Sequence, residues 1–325
     1  MSNDSDKFHT REELESRGFT REGNHFVRGD ERWLPLYEAK LMHQFTHRWA
    51  TYQPNGKTRS LTADELRDPH AVVMPRYWVH QADVLAKNND DWFIGFRNTT
   101  NTTNERTVIC SILPSSGVGN NLPILLMDSA PTLQACLVQN LCTWVFDYVA
   151  RTKVGGQAMN FYLVKQFPVI PPHSYTSALL DFIRPRVLEL TYTAWDLGAF
   201  ARDLGYEGAP FVWDEARRFR LRCELDALYF HLYGMARGDV EYIMDTFPIV
   251  RRKDEAAYGE FRTKRVILEM YDAMARLPSM TVPAPKDAGS RYAVPDVSGW
   301  QTWLAPPPAH PPDFDHRGAE GAEER

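Results

Sequence analysis

No stretch of this chain is apolar over the roughly 20 residues that a membrane-spanning helix needs. Met1 to Asp6 are polar and lack the basic start and apolar run of a secretory signal, so the expected compartment is the cytoplasm. Cysteine is scarce. Cys110, Cys136, Cys142 and Cys223 include no C-x-x-C pair and lie in apolar or helical runs, which predicts small buried thiols and argues against disulfides or a zinc ribbon. Positive charge is also in deficit: Lys and Arg number 37 against 42 Asp and Glu, a net charge of −5. A chain of that balance cannot hold nucleic acid by charge alone, so DNA binding would need a local basic face. Part of the acid surplus sits at Asp313, Asp315, Glu320, Glu323 and Glu324, in a proline-rich end.

Several catalytic patterns are missing as well. His43-Gln44-Phe45-Thr46-His47 has metal spacing if helical, but Gln44 stands where a zinc hydrolase needs glutamate, and no third ligand is evident. Glu38-Ala39-Lys40 looks like the end of a magnesium-nuclease signature without its preceding acid. Residues 116–120 resemble a nucleotide loop but lack the third glycine, so a tight turn is expected. An adenine methyltransferase needs Asn/Asp-Pro-Pro-aromatic to hold a flipped base, and neither Pro171-Pro172 nor Pro311-Pro312 has those neighbours. No catalytic, cofactor-binding or metal-ligating residues are assigned.

What is present reads as an α/β protein with a helical continuation. Residues 1–35 form a lead-in, where Thr10 and Glu13 have capping-box spacing, Gly18 ends the short helix, and 24–33 suits a hairpin. An α/β domain is expected over 36–172. It has a helix over 36–52 from the stripe Met42, Phe45 and Trp49, and strands at 72–74, 92–96, 108–113, 124–126 and 161–164. A helix over 131–150 starts at Pro131, and 168–172 is extended. A helical domain follows over 173–280, with helices at 179–194, 215–233 (Asp214 as N-cap) and 260–277. The end, 281–325, is proline-rich, acidic and expected to be disordered.

Three stretches suit DNA. Loop 97–107 carries Arg97, Asn98, Asn101, Asn104, Glu105, Arg106 and Thr107, residue types that read base edges; a plain solvated loop is the alternative. Loop 151–160 gathers Arg151, Lys153, Gly155, Gly156, Gln157 and Asn160, which suit phosphate, or simply end a helix. Arg251, Arg252, Lys253, Lys264 and Arg265 are candidate backbone contacts, or surface ion pairs with the acids among them.

These and neighbouring segments resemble a known family. Residues 33–40, 43–48 and 104–107, with 147–151, 153–156, 165–169 and 245–250, resemble in order the C-terminal target-recognition region of bacterial restriction-modification adenine-N6 DNA methyltransferases. In that family a methyltransferase core precedes this region, and here the core is missing. The resemblance implies a target-recognition domain over 36–172, followed by the helical domain. It implies a specificity module for phage defence that binds double-stranded DNA, in a split system or as a truncated remnant. S-adenosylmethionine would then bind a partner methyltransferase chain and not this one. The competing expectations are a protein-interaction component of a defence complex, and a magnesium-dependent nuclease using Glu38 and Lys40.

Overall fold

The computed structural model describes residues 4–156, 158–287, 289–300 and 305–311. Helices and mainly antiparallel sheets are mixed, as the α/β reading expects. The lead-in is structured. Thr10 caps α1 (Arg11–Ser16): its hydroxyl accepts from the Glu13 amide, and the Glu13 carboxylate accepts from the Thr10 amide at 2.9 Å. Gly18 follows in the left-handed region, at φ +81°, where a side chain would be strained. The strands β1 (Thr20–Glu22), β2 (His25–Arg28) and β3 (Glu31–Tyr37) form a meander over Leu14, Phe19, Phe26, Trp33 and Trp78.

The helix expected over 36–52 does not form. The chain makes a single 3₁₀ turn at Ala39–Leu41, a tight His43–Thr46 bridge, and then the hairpin of β4 (Ala50–Tyr52) and β5 (Thr58–Ser60). Phe45 sits at φ +59°, which a continuous helix cannot contain. Arg48 explains the cost accepted here. It is 0% exposed, and its guanidinium donates to the carbonyls of Leu66, Asp68, Ala71 and Thr193, pinning this turn to the helical half. After α2 (Ala63–Arg67), residues 72–74 are not a strand, though Val73 is buried. The strand β6 (Trp78–His80) instead closes the first sheet beside β3, and α3 (Gln81–Leu85) follows.

The central sheet is β7 (Trp92–Phe96), flanked by β8 (Cys110–Pro114) and β10 (Ile124–Leu125); the short β9 (Gly117–Val118) runs parallel to β3. Strand alternation sorts this sheet cleanly. Trp92, Ile94, Phe96, Cys110 and Ile112 enter the large helical core, whereas Phe93 and Leu113 enter the smaller core with Tyr37, Met42 and Leu122. Both faces are covered, which is why the runs read as continuously apolar. Gly95 allows the tightest approach: a Cβ there would lie 2.3 Å from Leu113 Cδ1 and 3.2 Å from Leu122 Cδ1. Both leucines are buried in the smaller core. Gly95→Ala is therefore expected to cost about 1–3 kcal/mol by overpacking. A wild-type urea midpoint would show that the sheet yields more easily than this packing implies.

The helix expected over 131–150 is two helices, α4 (Pro131–Leu141) and α5 (Trp144–Lys153). Thr143 separates them, because its hydroxyl caps the Phe146 amide and starts a new helix. The run 161–164 is also corrected: it forms one helical turn, α6 (Phe161–Val164), not a strand. Then come α7 (Ser177–Thr191), α8 (Gly198–Asp203), α9 (Glu215–Leu232), α10 (Arg237–Asp245), α11 (Pro248–Tyr258) and α12 (Arg262–Met274). The Asp214 carboxylate caps α9 at the Arg217 amide, as expected. One core of buried side chains runs from Phe45 through α4 and α5 into α12, so it crosses position 172 without a break.

The expectation of disorder beyond 280 is overturned for 281–287 and 289–300. The strands β11 (Ser279–Pro283) and β12 (Arg291–Pro295) pair over five registers, and Val282, Val294 and Val297 are buried in the helical core. Residues 305–311 lie along the segment before α9: Val212 donates to the Pro308 carbonyl and His310 to the Pro210 carbonyl, both at 2.8 Å. The acidic residues from Asp313 to Glu324 lie outside the described residues. No described helix is long and apolar enough to cross a membrane. The four cysteines are free and buried.

Candidate nucleic-acid interface

The two loops nominated from sequence lie side by side. Thr99 bridges Ala158 in antiparallel fashion, the Met159 amide donates to the Asn98 carbonyl at 2.8 Å, and the Asn98 amide donates to the Asn121 carbonyl at 3.0 Å. These bonds set amide-rich backbone from three loops against one another. Beside them a cleft of about 630 Å3 is lined by Lys40, Arg76, Arg97, Thr99, Asn120 and Asn121, among others. Gly119 and Asn120 also line an adjoining hollow with Asn98, Asn160 and Phe161. Phe161 and Tyr162 are exposed, Tyr162 by 62%, and Lys165 and Gln166 continue the exposed edge. The two adjoining hollows thus carry loop asparagines, the cations Lys40 and Arg76, and the ring of Phe161.

Several residues expected to read bases are buried, or have their polar groups engaged within the protein. Arg106 is 5% exposed; its guanidinium lies 3.7 Å from the Trp144 ring centre and donates to the Cys142 carbonyl. It cannot extend to a base, and its expected readout role is withdrawn. Arg97 turns inward to the Met42 carbonyl, and burial pushes its guanidinium down to about 10. Thr107 is fully buried, with its amide on Asp147 and its hydroxyl accepting from Arg151. Glu105 is ion-paired with Lys253. Asn101 folds back to accept from the Thr103 amide at 3.0 Å. Asn104 stays exposed, and Asn98 is half-buried.

Loop 151–160 divides similarly. Arg151 is not a phosphate ligand: it donates to the carbonyls of Asn104 and Glu105 and to Thr107 Oγ1, pairs with Asp147 at 3.3 Å, and lies over Phe247. Lys153 and Asn160 are exposed and remain candidates. Gly155 and Gly156 are exposed with open space where a Cβ would stand and no left-handed φ, so the backbone does not require glycine there. Gln157 lies outside the described residues. The third cluster is mostly an ion-pair lattice: Arg251 with Glu255, Lys253 with Glu105, Lys264 with Asp245, and Arg265 with Glu260 and Glu269. Arg252 alone of that cluster makes no ion pair among the described residues.

The decoys resolve geometrically. His47 is buried against Asp196 at 2.8 Å, while His43 lies against Trp49 on the far side of the turn, so the two imidazoles diverge. Glu38 accepts from the Tyr52 hydroxyl at 2.6 Å and pairs with Lys40 at 3.3 Å. No group of three or more His, Cys, Asp or Glu side chains placed to hold a metal occurs among the described residues.

Four of the segments that carry the family resemblance, 43–48, 104–107, 147–151 and 245–250, meet at one joint. Asp147 accepts from the amides of Thr107 and Val108 at 2.9 and 2.6 Å, Gln44 donates to the Val108 carbonyl at 2.7 Å, and Trp144 packs edge-on to Phe247. Sequence reasoning missed this buried polar joint, because it saw arginines and amides only as surface groups. It also missed Asn120, read as part of the tight turn, its neighbour Asn121, and the exposed aromatics of α6. No family model, no curated protein and no solved structure matches this chain.

Proposed function

We propose that the chain is a DNA sequence-recognition module of a restriction-modification adenine-N6 DNA methyltransferase, acting in the cytoplasm with catalysis and S-adenosylmethionine on a partner chain. The supporting observation is the junction of loops 97–107 and 153–160 at Thr99 and Ala158, which makes one amide-bearing face from two separate loops. Asparagine side chains pair bidentately with adenine edges. Lys40 and Arg76 line the adjoining cleft, Lys153 and Lys165 are exposed on the neighbouring segments, and these cations would supply phosphate contacts that hold register without reading sequence. Exposed Phe161 and Tyr162 offer stacking surfaces beside them.

The reading is tested by duplex binding with the methyltransferase partner present. Lys153→Ala is expected to weaken all sequences alike and make the salt slope shallower by about 0.9. Asn104→Ala with Asn160→Ala is expected to flatten sequence preference by roughly 1–3 kcal/mol per lost base contact, with the slope unchanged. Arg106→Ala is expected to lower stability and leave sequence preference unchanged, because its guanidinium is buried on the Cys142 carbonyl. Unchanged affinity and preference in the first two variants would favour a protein-interaction component instead. That second reading has its own observation: ion pairing neutralises most of the basic cluster, and Tyr242 and Tyr258 are exposed.

A further inference from the structure

A second cavity, of about 410 Å3, opens at the joint between the strand-rich half and the helices. Turn 43–45, the loop end at Glu105 and Arg106, the α4–α5 junction, and α9, α11 and α12 all contribute walls. Each of its carboxylates has a partner on one oxygen. Glu105 holds Lys253, Asp254 accepts from the Thr263 amide at 2.6 Å, Glu215 from the Trp213 indole at 2.8 Å, and Asp226 from the Trp144 amide at 2.9 Å.

The arginines are not committed in the same way. Arg106 gives one N–H group to the Cys142 carbonyl, while its Nε is buried without an acceptor. Arg222 makes no ion pair or side-chain hydrogen bond among the described residues. Arg262 only stacks, 4.2 Å from the Phe219 ring centre and 4.5 Å from that of Tyr258. Arg222 and Arg262 therefore keep guanidinium N–H groups without an ion-pair partner on these walls, and a ligand made of acceptors would engage them. Guanidinium groups meet phosphate oxygens in paired, charge-assisted bonds that ammonium groups cannot copy.

Two further features lie on the same walls. His43 is pushed down to about 3, first by burial and then by Arg97, Arg222, Arg106 and Lys253, so four cations act on one point. Phe45 lines the cavity in the left-handed region, a strained state for an aromatic residue and one that tends to mark functional sites. Gln139 Oε1 is buried there without a donor, which phosphate does not supply and a sugar hydroxyl does.

We propose that this cavity binds the phosphate group of a nucleotide, held by Arg222, Arg262 and Arg106. The phosphate has two sources, a free nucleotide or a DNA strand. The site stands independently of the loop face described above.

The test uses the full chain, with adenosine 5′-monophosphate, inorganic phosphate and a short duplex as probes against matched sodium chloride. Adenosine 5′-monophosphate is expected to raise the melting temperature saturably and to move the His43 imidazole titration upward, because a bound anion offsets the cations facing it. Arg222→Gln is expected to weaken the apparent affinity roughly tenfold or more, and Arg222→Lys less, since charge without the planar fork is retained. Arg237→Gln, at an ion pair with Asp272 elsewhere, serves as the control. Competition between the duplex and adenosine 5′-monophosphate assigns the phosphate to DNA, and independent binding assigns it to a free nucleotide; both keep the site. No saturable response to any probe, or an equal response in Arg222→Gln, overturns it. Duplex affinity in Lys153→Ala scores the loop face separately, so either site can fail alone.

Discussion

Asp147→Ala is expected to lower stability by about 3–5 kcal/mol, the range for stripping one partner from a buried, hydrogen-bonded charge pair. Asp147 is 0% exposed, and its carboxylate accepts from the amides of Thr107 and Val108 while pairing with Arg151. Alanine would leave two buried N–H groups without acceptors and a half-buried guanidinium without its counter-charge. The damage should spread, because Arg151 also holds the carbonyls of Asn104 and Glu105. Loop 97–107 would lose its anchor, and with it the Thr99–Ala158 junction that shapes the proposed DNA face. Urea unfolding checks the first expectation, and hydrogen exchange at Thr107 and Val108 checks the second. A variant with a wild-type midpoint and protected amides would mean that water replaces the carboxylate.

The second large effect concerns pH. Burial raises the Asp226 carboxyl to about 7, against the opposing influence of Arg106, the Trp144 amide and Arg222. The folded chain therefore keeps this proton up to about neutrality, whereas an unfolded aspartic acid releases it near 3.8. Folding takes up a proton between those values. The associated stability is present in full below about 4 and is lost as pH rises to about 7. The interval corresponds to roughly 4 kcal/mol, an order-of-magnitude figure. Asp226→Asn keeps an acceptor for the Trp144 amide and removes the titration. Its melting temperature should exceed that of the wild type at pH 8, by about 5 °C or more for a chain of this size, and the two should converge towards pH 5. If the wild type is equally stable at pH 5 and pH 8 and the variant melts lower at both, Asp226 is charged at neutrality and Arg106 and Arg222 hold it.

Long periodic segments were legible before any coordinates. The helices α7, α9 and α12 have apolar residues repeating at three and four positions over several turns, and each formed close to its expected limits. Helix starts were legible for a local reason: Thr10 and Asp214 accept from amides three residues on, and Pro131 fixes φ in a first turn that needs no N–H there. The strands β7 and β8 were legible as apolar runs, although not as a sheet covered on both faces.

Errors came where distant partners outweighed local pattern. Met42, Phe45 and Trp49 share a helical stripe on paper, yet Arg48 between them is needed at four carbonyls 18 to 145 residues away. The turn that places it there forbids a helix. Residues 161–164 are too short a run for periodicity to separate helix from strand. Residues 279–297 carry few apolar groups, but Val282, Val294 and Val297 reach the helical core and hold the hairpin.

The sequence by itself determined the net charge, the buried thiols, the longer helices and the two amide- and cation-bearing loops, because these follow from composition and from interactions a few residues apart. Only the tertiary structure decided which polar groups face solvent. It turned Arg97, Arg106 and Arg151 inward to carbonyls and Asp147, brought Asn98 beside Met159 and Asn121, and left Arg222 and Arg262 around a cavity with no ion pair among the described residues. A guanidinium reads the same in sequence whether it meets a phosphate or a buried carbonyl, and only the arrangement of the surrounding backbone determines which it finds.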